Sequence, residues 1–196
     1  MRRVMAAPSL RPLLDSAALD PAPMAAREIF LAGLAPRAHP VGDLVFLEGD
    51  PGGTLFLVVS GEVMVTRRSL AGDPVELARM SAGDFVGEAG LLHGSRRGAT
   101  GVSTAPDTVV VEVSRSHVEG ALVAGNEAAR ALLRAMTRRL AQRVRVAEGK
   151  VRLVRDALAG EDGGRVRARM AELGRVDDGP DAWRRELLPF FAQASG

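Results

Sequence analysis

A chain of 196 residues, 46% of them hydrophobic, can build one good-sized domain with a real core plus an appendage, and it is too short for two full domains. With no cysteine there is no disulfide framework, thiolate metal site or cysteine nucleophile. The formal charge is only +2, and the sequence pI near 10.2 overstates how basic the surface is: Lys150 is the single lysine, tyrosine is absent, and a small excess of arginine holds the chain positive to high pH.

Residues 1–22 read as a lead-in rich in alanine and proline, with a short helix predicted over Ser9 to Asp15. Pro8, Arg11, Pro12 and Asp15 interrupt any apolar run after Arg2 and Arg3, so the start is not a secretory signal, and no stretch approaches a membrane span. The expectation is a soluble cytoplasmic protein. From Pro23 the apolar series Met24, Ile29, Phe30, Leu31 and Leu34 predicts a helix that closes near Gly33 and packs on the side of the β-rich region after it.

From Val41 to Val113 the pattern changes to short β-rich runs separated by glycine turns. The predicted strands are Leu44–Leu47, Leu55–Val59, Val63–Thr66, Val75–Leu77, Thr100–Ser103 and Thr108–Val113. Gly42-Asp43, Glu48 to Gly53, Ser60-Gly61, Gly72-Asp73-Pro74 and Ala105-Pro106-Asp107 punctuate them. Short strands at such spacing suggest a sandwich or jelly-roll barrel.

Within this region Ser81 to Asp84 reads as a turn that feeds the short apolar piece Phe85-Val86. Gly87-Glu88 then opens about one turn of helix, which Gly94 ends. Free backbone N–H groups at such a helix start favour a negative charge. Nine residues after Glu88 stands Arg97, a fork of donors suited to phosphate, followed by the small residues Gly98 and Ala99, which let backbone come close.

Ser114 is a natural N-cap for a helix over Arg115–Val123, and Asn126 for a longer one from Glu127. Along the second, Leu133, Met136, Leu140, Val144, Ala147, Val151, Val154 and Leu158 step by threes and fours. Arginines flank this narrow apolar seam, which predicts a two-stranded coiled coil weakened in the middle by Gly149. Residues 159–196 hold a glycine-rich loop, a predicted helix from Arg165 to Leu173, a polar loop at Asp177 to Pro180, and an amphipathic segment, Ala182 to Ala192, that carries the only tryptophan, Trp183, and is interrupted by Pro189.

Gly83-Asp84-Phe85-Val86-Gly87-Glu88, Leu91-Leu92 and Arg97-Gly98-Ala99-Thr100 together resemble the phosphate-binding cassette of the cyclic nucleotide-binding domain family. The turn glycines Gly42, Gly49 and Gly61 extend the resemblance, which covers about Met24 to Leu158. It implies an α+β fold: a jelly-roll domain at 23–125 flanked by an N-terminal helix, a long dimerisation helix at 126–158, and a helical tail at 159–196. It implies that Arg97 binds the cyclic phosphate and Glu88 accepts the ribose 2′-hydroxyl, while Gly87, Ala89, Gly98 and Ala99 lie against the ligand. The ligand it implies is cAMP in preference to cGMP, with no metal.

The chain is also similar to catabolite-activator-type transcription factors, which dimerise through the long helix after the barrel. Where those proteins place two hydroxyl residues against adenine, this chain has Arg143-Val144. Base specificity is open at that point: Arg143 either meets the purine or is a solvated flank of the coiled coil. The similarity ends with the first helix of their DNA-binding domain, so the leading expectation is a homodimeric sensor that regulates a protein partner through its C-terminal helices. A DNA-binding regulator and a structural dimer with a non-binding pocket are the alternatives.

Enzyme signatures are missing: there is no nucleophile elbow, Walker loop, dinucleotide fingerprint or zinc motif. His39, His93 and His117 are scattered and read as solvated or packing residues, not metal ligands.

Overall fold

The computed structural model describes residues 9–69 and 72–158. These fall into two compact units, one built from residues up to 65 and from 79 to 136, the other from 66–78 and from 137 onward.

The first unit opens with α1 (Arg11–Leu14), a 3₁₀ turn (Ala17–Leu19) and α2 (Met24–Leu31). Arg27 ties these together: its guanidinium donates to Ala22 O at 2.8 Å and Leu14 O at 2.6 Å, and it pairs with Asp20. The strands are β1 (Pro36–His39), β2 (Leu44–Phe46), β3 (Thr54–Ser60), β4 (Glu62–Arg68), β5 (Pro74–Ser81), β6 (Phe85–Val86), β7 (Thr100–Ser103) and β8 (Thr108–Ser114). They form two four-stranded sheets, ordered β1-β8-β3-β6 and β2-β7-β4-β5. The outer parts of β4 and β5 belong to the second unit. The architecture is the expected α+β jelly roll.

Period-two alternation divides the first sheet into two faces. Leu55, Leu57 and Val59 of β3, with Val111 and Val113 of β8, pack in one apolar core with Leu13, Leu19, Phe30 and Leu31. The opposite face carries Phe56, Val58 and Val110, with Glu112 directly across from Phe56. Burying each large side chain of this core contributes roughly 1.5–3 kcal/mol.

Between β6 and β7 lies α3 (Glu88–His93), and after β8 come α4 (Arg115–Val123) and α5 (Glu127–Leu158). Both expected caps are present. Ser114 Oγ accepts from His117 N at 3.1 Å, and Asn126 Oδ1 accepts from Ala128 N at 2.8 Å and Ala129 N at 3.1 Å. Asn126 Nδ2 also donates to Ala26 O at 3.0 Å, which joins the start of α5 to α2. His117 packs α4 on α2, with Nε2 2.7 Å from Phe30 O and its ring edge-on to Phe30. His39 is buried beside Asp43, while His93 is exposed.

Three expectations need correction. First, β1 is an additional strand, hidden in the sequence because prolines bracket it; it lies at a sheet edge with Pro36 as its first residue, where a missing N–H is tolerated. Second, β5 runs to Ser81 instead of ending at Leu77. Third, α2 does not bury its whole apolar series: Arg27, Phe30 and Leu31 face inward, while Ile29 is 69% exposed and Met24 is also exposed. The guanidinium of Arg27 finds carbonyls there, and that lets a charged residue take an inward position.

The expected seam of α5 is divided between the two units. Met136 joins Ala128, Ala129, Ala131 and Leu132 in the core of the first unit. In the second unit Val144, Ala147 and Val151 are exposed, while Val146 and Leu153, off the expected seam, are buried. The helix runs through Gly149 without a break. Among the described residues no helix is long and apolar enough to cross a membrane. The segments Arg165 to Leu173 and Ala182 to Ala192 lie outside the described residues.

Candidate functional site

Two loops and a short helix meet around Arg97. The turn after β2 is closed by Asp50, whose N–H donates to Leu47 O at 3.1 Å. It is then joined to the loop after α3 in both directions: Gly49 N donates to Arg97 O at 2.8 Å, and Arg97 N donates to Asp50 O at 2.8 Å. Arg96 Nη1 adds a bond to Gly49 O at 2.7 Å. Gly53 N donates to Gly90 O at 3.0 Å, laying α3 on the same turn. That approach needs two glycines. A Cβ on Gly52 would stand 2.0 Å from Ser95 O and 3.0 Å from Gly90 Cα, and one on Gly90 would stand 3.3 Å from Gly52 Cα.

The Arg97 side chain turns inward and is only 6% exposed. Nη1 donates to Thr54 O at 2.7 Å, with a longer contact to Gly87 O at 3.5 Å, and Nη2 donates to Thr54 Oγ1 at 2.5 Å. Its Cζ lies 5.3 Å from the ring centroid of Phe46 and 5.1 Å from that of Phe56, and those rings stack on each other at 5.5 Å. Such cation–π contacts contribute on the order of 0.5–2 kcal/mol. Burial pulls the Arg97 pKa below its ordinary value, and the charges of Glu112 and Asp50 oppose that shift. A buried cation of this kind is favourable ground for an anion.

Gly87 caps α3 at φ +94°, the left-handed region that glycine enters without strain. Its bare Cα also leaves room for Arg97, since a Cβ there would stand 2.4 Å from Nη1. Glu88, the first residue of α3, is 4% exposed. Ala89 and Gly98 are exposed and Ala99 is half-buried. Gly98 has open space where a Cβ would be. Arg143 lies on an exposed part of α5 in the second unit.

A cavity of about 360 Å³ opens beside Arg97, lined among others by Arg37, Phe46, Asp50, Thr54, Phe56 and Glu112. Of the residues expected at the site, Arg97 alone lines it. Sequence reasoning therefore missed Thr54, Phe46 and Phe56. By local pattern Thr54 belongs to the glycine turn before the strand, and the two phenylalanines read as ordinary strand residues. Alternation along β3 does place Phe56 opposite to the Leu55 face, and that signal was available.

A buried arginine beside a short glycine-capped helix stands against a roll of two four-stranded sheets. Residues 36–124 match the cyclic nucleotide-binding domain family. The chain is 37% identical over 79 residues to the cyclic AMP receptor protein of Thermus thermophilus, covering 40% of this chain and 36% of that protein. It is 31% identical over 107 residues to the CRP-like cAMP-activated global transcriptional regulator of Mycobacterium tuberculosis, covering 55% of this chain and 47% of that one. The matches thus span about a third to a half of these relatives' own length.

Two solved structures carry the likeness further. The Thermus thermophilus catabolite activator protein aligns with TM-score 0.57 and 27% identity, over 84% of this chain and 87% of that chain. The N-terminal domain of a transcriptional regulator from Streptomyces coelicolor aligns with TM-score 0.57 and 29% identity, over 66% and 91%.

Proposed function

We propose that the protein is a cyclic mononucleotide sensor, with cAMP preferred to cGMP, that regulates a protein partner as a homodimer. The observation that carries this reading is Arg97, a buried guanidinium held inside the roll of a cyclic nucleotide-binding domain. In this reading Arg97 takes the cyclic phosphate through charge-assisted bonds, Glu88 accepts the ribose 2′-hydroxyl, and Gly87, Ala89, Gly98 and Ala99 bring backbone to the ligand. The preference for cAMP is supported by the relatives' names, two of which specify that nucleotide. Residues 23–125 form the sensing domain, 126–158 the dimerisation helix and 159–196 the output tail, and no step of this role is a chemical reaction.

Calorimetry of the full chain with cAMP and cGMP tests the reading. A hydrogen bond to a charged group is worth roughly 1.5–3 kcal/mol, so losing the paired contact in Arg97→Ala weakens binding on the order of a hundredfold. Glu88→Ala costs less. Absence of heat from the wild type at about millimolar nucleotide, far above any useful sensing affinity, removes the sensor reading. A second reading, a DNA-binding regulator, is favoured by the transcriptional role named for the Mycobacterium relative. Sequence-selective duplex binding that weakens steeply with salt distinguishes it.

A further inference from the structure

Thr54 is the first residue of β3, and it meets Arg97 with two groups at once. Its carbonyl accepts from Nη1 at 2.7 Å and its hydroxyl accepts from Nη2 at 2.5 Å. A guanidinium carries five N–H donors in one plane. Thr54 occupies the end formed by the two terminal nitrogens, and Gly87 O takes the remaining Nη1 hydrogen at 3.5 Å. The Nε hydrogen and the second Nη2 hydrogen lie side by side on another edge of the plane. Among the described residues the bonds of Arg97 run from Nη1 and from one Nη2 hydrogen, and they leave this pair unused. That pair is the fork that grips two oxygens of one phosphate.

We infer that Thr54 is a positioning residue: it clamps one edge of Arg97 so that the other edge is already aimed when a cyclic phosphate arrives. The inference deepens the sensor reading and rests on it. Arginine has many rotamers, and fixing it before binding removes an ordering cost from the binding step. The surroundings restrict the guanidinium without aiming it. Phe46 and Phe56 offer faces at 5.3 and 5.1 Å, which tolerate rotation in the plane, and Gly87 supplies space and only the long contact at 3.5 Å. Direction comes from the Thr54 pair. Its bonds do not use the fork, so they persist with ligand bound and need not be exchanged for it.

The test uses the full chain with Thr54→Val, which keeps the branched shape and deletes the hydroxyl, and Thr54→Ser, which keeps the hydroxyl. Each is titrated with cAMP and with the two cyclic phosphorothioate diastereomers, in which sulfur replaces one or the other exocyclic oxygen. Thr54→Val is expected to bind cAMP about tenfold more weakly, the scale of one hydrogen bond to a charged group. It should also narrow the affinity ratio between the diastereomers, because a fork that is no longer aimed stops distinguishing the two oxygens. Thr54→Ser should restore both.

A purely structural role lowers stability and affinity but leaves the diastereomer ratio unchanged, and that result overturns the inference. So does Thr54→Val binding cAMP as tightly as the wild type, or more tightly, which would make Thr54 a competitor of the ligand. If Thr54→Val does not fold, the ratio measured on Thr54→Ala decides the matter. A wild type that binds no cAMP removes the sensor reading and this inference with it, whereas a binding wild type beside an indifferent Thr54→Val removes the inference alone.

Discussion

Gly87 meets two demands at one position, and replacing it by alanine separates them. Its φ of +94° is costly for any residue with a Cβ, by about 1–2 kcal/mol. Gly42 has φ +83° and nothing within 4 Å of an added Cβ, so Gly42→Ala measures that backbone cost alone. At Gly87 the new methyl would stand 2.4 Å from Arg97 Nη1 and 3.2 Å from Thr54 O. The guanidinium is the end of a flexible side chain and is the part that yields, leaving its bonds to Thr54. Losing a hydrogen bond to a charged group adds roughly 1.5–3 kcal/mol, so Gly87→Ala should cost about 2.5–5 kcal/mol in total. Urea unfolding of both variants against the wild type reads the difference between them. Calorimetry with cAMP reads the consequence: Gly42→Ala binds like the wild type, while Gly87→Ala approaches the loss expected of Arg97→Ala. If the two variants unfold at the same midpoint and Gly87→Ala keeps wild-type affinity, the guanidinium does not depend on that space and the reasoning fails.

Two further outcomes concern the long helix and the C-terminal segment beyond it. Leu140→Glu with Val144→Glu places charge on the half-buried and exposed positions of the apolar stripe of α5 and should convert a dimer to monomers by light scattering. A wild type already monomeric at about tens of micromolar refutes the homodimer, since assembly depends on concentration. Trp183, the only tryptophan, lies outside the described residues and reports the C-terminal segment. Its fluorescence should change when nucleotide is added to the wild type and stay flat in Arg97→Ala. An unchanged signal at saturating ligand, with identical protease sensitivity of that segment, would leave sensing domain and tail uncoupled.

The parts of the structure that were legible in the sequence are those decided by neighbouring residues. Ser114 and Asn126 cap their helices through bonds spanning two or three residues, so both helix starts could be read directly. β3 and β8 lie within a residue of expectation, and β7 matches it, because turn residues bound each run. The motif around Gly87, Glu88 and Arg97 could be read because its residues lie close together in the chain. The other half of the arginine's environment was illegible for the opposite reason: the bonds from Arg97 to Thr54 join residues 43 positions apart, and no local pattern records them. The inward turn of Arg27 was equally hidden, since one of the carbonyls that satisfies it comes from Leu14, 13 residues away.

Three chain crossings link the two units: β4 between Val65 and Thr66, β5 between Ala78 and Arg79, and α5 between Met136 and Thr137. The first two are neighbouring strands of one sheet. The third is an unbroken helix of 32 residues, about 48 Å long at the usual rise. Its first turns are core: Ala128, Ala129, Ala131, Leu132 and Met136 are each fully buried, so a shift of that core displaces the helix start with it. Further along, Val144, Ala147 and Val151 stand exposed at steps of three and four, the spacing that a second helix covers. Ligand can bias such a helix only if it binds two arrangements of the sensing domain with unequal affinity. In the proposed sensor reading Arg97 would supply a means: it joins the turn after β2, the start of β3 and the loop after α3, so a phosphate bound to it would act on all three together. β3 and α5 share one apolar core, through Leu55, Leu57 and Val59 on one side and Leu132 and Met136 on the other. In that reading, a route from anion to helix would need no element beyond the strand bonded to the arginine and the core that strand packs against.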